Sequence, residues 1–213
     1  EVRPRQRVYS GFDGVVAPAL PAGWVATNGA GAAPLWVTST TSPDTAPNDA
    51  FVDDPATVSD KYLETPAIAI TSGPALLTFR NNYQLESTFD GGVLEVSSPN
   101  INVGSYTDVT AAAVGGSFVS GGYNATISTA FMSPIAGRMA WSGTSAGGYI
   151  TTVANLGPNV VGQTIKLRFR MASDNSVAVT GWRVDTISLT VGTCPTPTPS
   201  PSPTPSPGSC IWS

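Results

Sequence analysis

The sequence predicts an all-β fold, an antiparallel two-sheet β-sandwich of the jelly-roll kind, and three observations carry that prediction. Short apolar or alternating runs recur from Val8 to Val191 between clusters of Gly, Pro, Asn and Ser. No stretch shows the 3.6-residue apolar period of an amphipathic helix. Charged residues make up only 11% of the 213 residues, beside 22 glycines and 19 prolines, so Ser, Thr and Asn stand where helical surfaces carry Lys and Glu.

Along the chain, a first strand is expected around Phe12 to Val16. Residues 26 to 60, rich in Gly, Ala, Ser and Asp, read as long loops enclosing short strands. Apolar runs then predict strands at Ala67 to Ile70 and Ala75 to Phe79. The Asp90-Gly91-Gly92 turn is expected to feed a strand over Gly92 to Ser97. Residues 98 to 140 again read as loops with short strands, followed by a strand at Gly148 to Val153. The clearest strand is Thr164 to Met171, where Ile165, Leu167, Phe169 and Met171 alternate with Lys166, Arg168 and Arg170, burying one face and leaving the other cationic. The last, Trp182 to Val191, changes parity near Asp185 and Thr186, which predicts a bulge there.

Three segments follow from this reading: an N-terminal arm (1–7), a jelly-roll domain (8–191) and a Cys-flanked tail (192–213). Every second residue from Pro195 to Pro207 is proline, which removes backbone donors and favours polyproline II geometry. The stretch between Cys194 and Cys210 spans roughly 50 Å if straight, whereas a disulfide needs Cα atoms within about 7 Å. The tail therefore either folds back into an intrachain bond or pairs with a neighbour. Its alternation resembles mucin-like stalks, which makes Thr196, Thr198, Ser200, Ser202, Thr204 and Ser206 O-glycan candidates and places the chain in an oxidising, extracellular setting. The chain opens at Glu1 without an initiator methionine, as expected of processed material, and no apolar run is long enough to span a bilayer. A net charge of -4, with Arg3, Arg5 and Arg7 as the one basic cluster, argues against nucleic-acid binding.

Catalytic patterns are weak. Gly143-Thr144-Ser145-Ala146-Gly147 matches the nucleophile-elbow spacing, but that mechanism needs a base and the chain holds no histidine. The match reads as a turn, and no catalytic residue is assigned. Asp53 with Asp54, and Glu86 with Asp90, are the close acidic pairs, and they read as loop or turn carboxylates rather than a glycosidase couple. Trp24, Trp36, Trp141 and Tyr149 suit either core packing or a sugar-stacking surface, while Trp182 reads as core. Asn124-Ala125-Thr126 is a formal N-glycosylation sequon.

Several runs resemble a known family: FDGVVAPALPAGW (12–24), YLETPAIAI (62–70), FDGGVLEVS (89–97), SPIAGRMAWSG (133–143) and LRFRMASDNSVAVTGWRVDTISL (167–189). They are similar to the secreted bacterial jelly-roll modules described as MAM-like or choice-of-anchor J, including those appended to extracellular peptidases. The resemblance covers about residues 8 to 191. It implies a non-catalytic module for adhesion, carbohydrate or protein contact, in some members with a structural calcium. Calcium accepts oxygen ligands, which a His-free chain rich in loop aspartates supplies. Asp13 and Asp185 are the candidates, from the first and last strands of the jelly roll; the competing reading makes them turn and bulge caps.

Two functions remain in view. In the first, the chain is a structural subunit of a surface filament or sheath that self-associates through its terminal segments. A sandwich of this size is about 40 Å across, so the tail can reach along a neighbour, and Val2 to Val8 can augment a neighbour's sheet. In the alternative, the chain is a secreted adhesion module for polysaccharide or a cell-surface protein.

Overall fold

In the computed structural model the backbone of residues 6–192 and the side chains from Gly11 onward are described. Cys194, Cys210 and the O-glycan candidates of the tail lie outside those residues. Strands follow the turn residues closely: β1 (Gln6–Ser10), β2 (Val25–Ala30), β3 (Val37–Ser39), β4 (Asp49–Asp54), β5 (Ser59–Glu64), β6 (Ile68–Ala69), β7 (Ala75–Gln84), β8 (Gly91–Ser97), β9 (Thr107–Asp108), β10 (Ser117–Ser120), β11 (Ala125–Thr126), β12 (Met139–Ala140), β13 (Ile150–Asn155), β14 (Thr164–Ser173) and β15 (Val179–Val191). Helical structure among the described residues is confined to two short 3-10 turns.

The strands form two antiparallel sheets. One runs β10-β13-β7-β15-β4-β3, the other β2-β5-β14-β8-β9, and β6 pairs with the start of β14. A small β11-β12 hairpin stands apart. The expected two-sheet β-sandwich is thus observed. β15 is its organising strand. Its register against β7 shifts between Asp185 and Ser188, and Thr186 adopts φ 49°, so the bulge expected from the parity change is present. β4 pairs with β15 before the bulge and β1 pairs with it after, from Gln6↔Val191 to Ser10↔Ile187.

That pairing corrects two expectations. The first strand is Gln6–Ser10, not Phe12 to Val16, which forms a loop because the Asp13 carboxylate turns back to accept the Asn48 amide at 3.0 Å. The sheet also begins two residues before Val8, so Gln6 to Val8 pair with the chain's own β15 and are already engaged.

The two inner faces meet in an aromatic core. Phe79 stacks edge-on to Phe169 (5.2 Å) and Trp141 (5.7 Å), and Trp182 packs between Trp36 (5.2 Å) and Trp141 (5.6 Å). Edge-to-face contacts of this kind add to area burial because the positive ring edge meets the negative face. Three buried indoles use their N–H groups: Trp36 donates to the Lys61 carbonyl, Trp141 to the Gly121 carbonyl and Trp182 to Asn81 Oδ1. Gly92 has a packing role rather than the expected turn role. A Cβ there would stand 2.8 Å from the Trp182 ring, so glycine lets β8 approach the core.

Candidate functional site

Of the two readings of the aromatic residues, core packing holds for the three tryptophans. Trp24, Trp36 and Trp141 are buried, the last two at 1% exposure or less: each stands next to a strand end, before β2, before β3 and after β12, and packs its ring into the core between the sheets. Tyr149 is half-buried, and its hydroxyl donates to Asp49 Oδ2 at 2.8 Å and the Ser42 carbonyl at 3.1 Å. Ser145, the central residue of the elbow-like run, is buried. Its hydroxyl donates to the Gly148 carbonyl and accepts from the Tyr83 amide, fastening a turn. Asn124 holds Ser142 through both ends of its amide.

Asp13 and Asp185 do come together. The loop after β1 and the bulge of β15 are neighbours because those strands pair, and both carboxylates converge on Thr45: its amide donates to Asp185 Oδ2 at 2.9 Å and its hydroxyl lies 3.4 Å from Asp13 Oδ2. Asp185 is fully buried. Burial first, then repulsion from Asp13 and Asp49, pushes its carboxyl above the ordinary range, against the lowering effect of the Thr45 and Thr186 amides. Beside them Asn48 donates its side-chain N–H groups to the Phe12 and Val15 carbonyls, while its Oδ1 is buried without a partner. Carboxylate and amide oxygens are hard donors of the kind calcium takes, and Asp13, Asp185 and Asn48 bring such oxygens into one loop cluster. The residues present fit the cation that the resemblance implies.

Of the two acidic pairs, Glu86 and Asp90 stay together while Asp53 and Asp54 part. Asp53 turns to the buried Lys61 ammonium. Asp54 points the other way, accepting the Glu86 amide at 3.3 Å and abutting the Asp90 carboxyl. Sequence adjacency paired the wrong two residues, because successive strand residues face opposite sides of a sheet.

The outer face of the second sheet is the most organised polar surface among the described residues. β14 presents Lys166, Arg168 and Arg170 there, as its alternation predicts. Glu95 of β8 is 1% exposed and accepts from Arg168 Nε at 2.7 Å, Arg138 Nη1 at 2.7 Å and Arg170 Nη1 at 3.3 Å. Burial alone would raise the Glu95 pKa, but the Arg168, Arg138 and Arg170 guanidiniums outweigh it and hold the carboxyl below the usual range. Arg170 also forks onto both oxygens of Asp60 at 2.8 and 2.9 Å. Arg168 lies between two rings, 4.3 Å from Tyr62 and 4.0 Å from Tyr106. This network fixes the position of Tyr106 at the rim of an open groove of about 630 Å³, lined among others by Glu64, Asn100, Gln163 and Lys166. Sequence reasoning missed the groove, because its residues come from four separate segments; the alternating cations of β14 were the one visible signal.

Comparison with known proteins finds the fold. No family model matches the chain, and no curated protein matches it. Solved structures similar to it include the K1, K2 and K3 cleaved adhesin domains of Lys-gingipain, K1 and K3 from Porphyromonas gingivalis W83. The K1 domain superposes with a TM-score of 0.51 at 16% identity, covering 88% of this chain and 99% of that one. For K2 the values are 0.51, 15%, 87% and 98%, and for K3 they are 0.50, 17%, 87% and 98%. At such identities the likeness establishes the β-sandwich fold.

Proposed function

We propose that this chain is a non-enzymatic, extracellular adhesion module that holds polysaccharide in the groove beside Tyr106. The observation that carries this reading is the groove itself. A tyrosine face, fixed by the Arg168 stack, adjoins exposed Asn100 and Lys166 and half-buried Glu64 and Gln163. Pre-fixed aromatic and amide groups bind hydroxyl-rich ligands at little entropic cost. The likeness to domains named as adhesins supports an adhesive role at a surface, and the absence of histidine from the sequence supports a non-catalytic one. Calcium held by Asp13, Asp185 and Asn48 would tie the β1 loop to the β15 bulge, a structural role. The filament reading has less support, since Gln6 to Val8 are engaged within their own sheet.

Calorimetric titration against a panel of soluble polysaccharides tests the proposal. Binding by the wild-type chain, weakened at least tenfold in Lys166→Ala and Asn100→Ala with unchanged unfolding midpoints, is the expected result. Polysaccharide binding unaffected by both substitutions, or binding to surface proteins alone, would overturn it.

A further inference from the structure

A second set of carboxylates lies at one end of the sandwich, assembled from three connections. Asp54 closes β4, Glu86 and Asp90 stand between β7 and β8, and Asp174 follows β14. Asp54, Asp90 and Asp174 are each no more than 2% exposed, while Glu86 is half-buried and leaves a route to solvent.

Each of the three aspartates uses one oxygen to hold a loop. Asp54 Oδ2 accepts the Glu86 amide at 3.3 Å, Asp90 Oδ1 accepts the Asp174 amide at 2.6 Å, and Asp174 Oδ1 accepts the Ser176 amide at 2.8 Å. The other oxygens, Asp54 Oδ1, Asp90 Oδ2, Asp174 Oδ2 and also Glu86 Oε2, are buried without a hydrogen-bond partner. Carboxylate oxygens of Glu86, Asp90 and Asp174 lie within 4.8 Å of one another, and Asp54 abuts Asp90. No lysine or arginine forms an ion pair with any of the four among the described residues, although such pairs serve Asp53, Asp60 and Glu95. Burying one unpaired charge is costly, and burying several together is more so.

From this convergence we propose a second divalent-cation site, in which Asp54, Glu86, Asp90 and Asp174 enclose calcium. Oxygens within 4.8 Å of one another, about twice the calcium–oxygen distance of roughly 2.4 Å, let one ion bridge Glu86, Asp90 and Asp174, with Asp54 set against Asp90. The ion would clasp three loops, and it is distinct from the one proposed at Asp13 and Asp185. Without it, Asp54 and Asp90 relieve their repulsion by sharing a proton. Burial first, and then Asp54, push the Asp90 carboxyl up to about 9; burial pushes Asp54 to about 6.

The test titrates calcium chloride into the full chain by calorimetry, in wild type, in Asp13→Asn/Asp185→Asn, and in that variant with Asp90→Asn added. The Asp13/Asp185 variant retains one calcium per chain, and the added Asp90→Asn abolishes it or weakens it at least 100-fold. At a hundredfold excess over Kd, calcium raises the unfolding midpoint of the Asp13/Asp185 variant by roughly 5–10 °C. Asp90→Asn raises the calcium-free midpoint and removes that increment. No calcium uptake by a folded Asp13/Asp185 variant, or uptake that survives Asp90→Asn, overturns the proposal. Should the Asp13/Asp185 variant fail to fold, Asp90→Asn in the wild-type chain decides: loss of one calcium per chain supports the site, and unchanged stoichiometry overturns it.

Discussion

Two buried acidic centres flank the same strand and solve the same problem in opposite ways. Glu95, within β8, brings its own cations: three guanidiniums surround it and hold its pKa down. Asp90, one residue before β8, meets Asp54, Glu86 and Asp174 instead, and its pKa rises to about 9. Burial is equal in the two places, so the contrast lies in the partners. A buried carboxylate is stabilised by an internal cation, by a proton or by an ion from solvent, and this molecule uses the first at one end of β8 and one of the others at its start.

Substitutions in the two centres should therefore act with opposite sign. The largest effect belongs to Glu95→Gln, which leaves three guanidiniums facing one another. It should destabilise the fold by about 3–5 kcal/mol, measured by urea denaturation, and a loss below about 1 kcal/mol would break the contrast. Asp90→Asn in calcium-free buffer should instead stabilise by about 1–2 kcal/mol, because the amide is neutral without the proton that Asp90 must take up on folding.

The pH dependence sharpens the same point. A raised native pKa means the folded state binds more protons than the unfolded chain. Calcium-free stability should thus fall as pH rises from about 4 to about 9, and Asp90→Asn should flatten that slope. The lowered pKa of Glu95 works the other way: its contribution is present above the ordinary glutamate value of 4.5 and is lost as pH falls through its lower folded pKa. Chemical denaturation across pH resolves both limbs. The smallest stability effect is expected for Lys166→Ala at the exposed groove, within about 0.5 kcal/mol, with its consequence confined to ligand binding.

How much of this was legible in the sequence follows from the distance over which each feature is encoded. The alternation of β14 and the parity change in β15 are local, and both appear in the structure where they were expected. The Asp13–Asp185 convergence was reachable because the resemblance implied that the first and last strands are neighbours. Phe12 to Val16 misled because an apolar run was read without its polar insertion: Asp13 serves Asn48 and Thr45, and the less apolar Gln6–Ser10 takes the strand position beside β15. The tryptophans suited core packing first and a surface second, and only the pairing of two sheets decides for Trp36 and Trp141. Asp54, Glu86, Asp90 and Asp174 span 120 residues of chain with no common spacing, so their convergence is a property of topology alone.

The most direct test of the contrast is an NMR titration of the Asp90 side-chain carboxyl, with and without calcium. The account predicts that in calcium-free buffer this carbon titrates far above the ordinary aspartate range, near pH 9, while Glu95 titrates below its own range, and that saturating calcium brings Asp90 to full ionisation at neutral pH. An Asp90 carboxyl already ionised at neutral pH without calcium, and indifferent to it, would contradict the account.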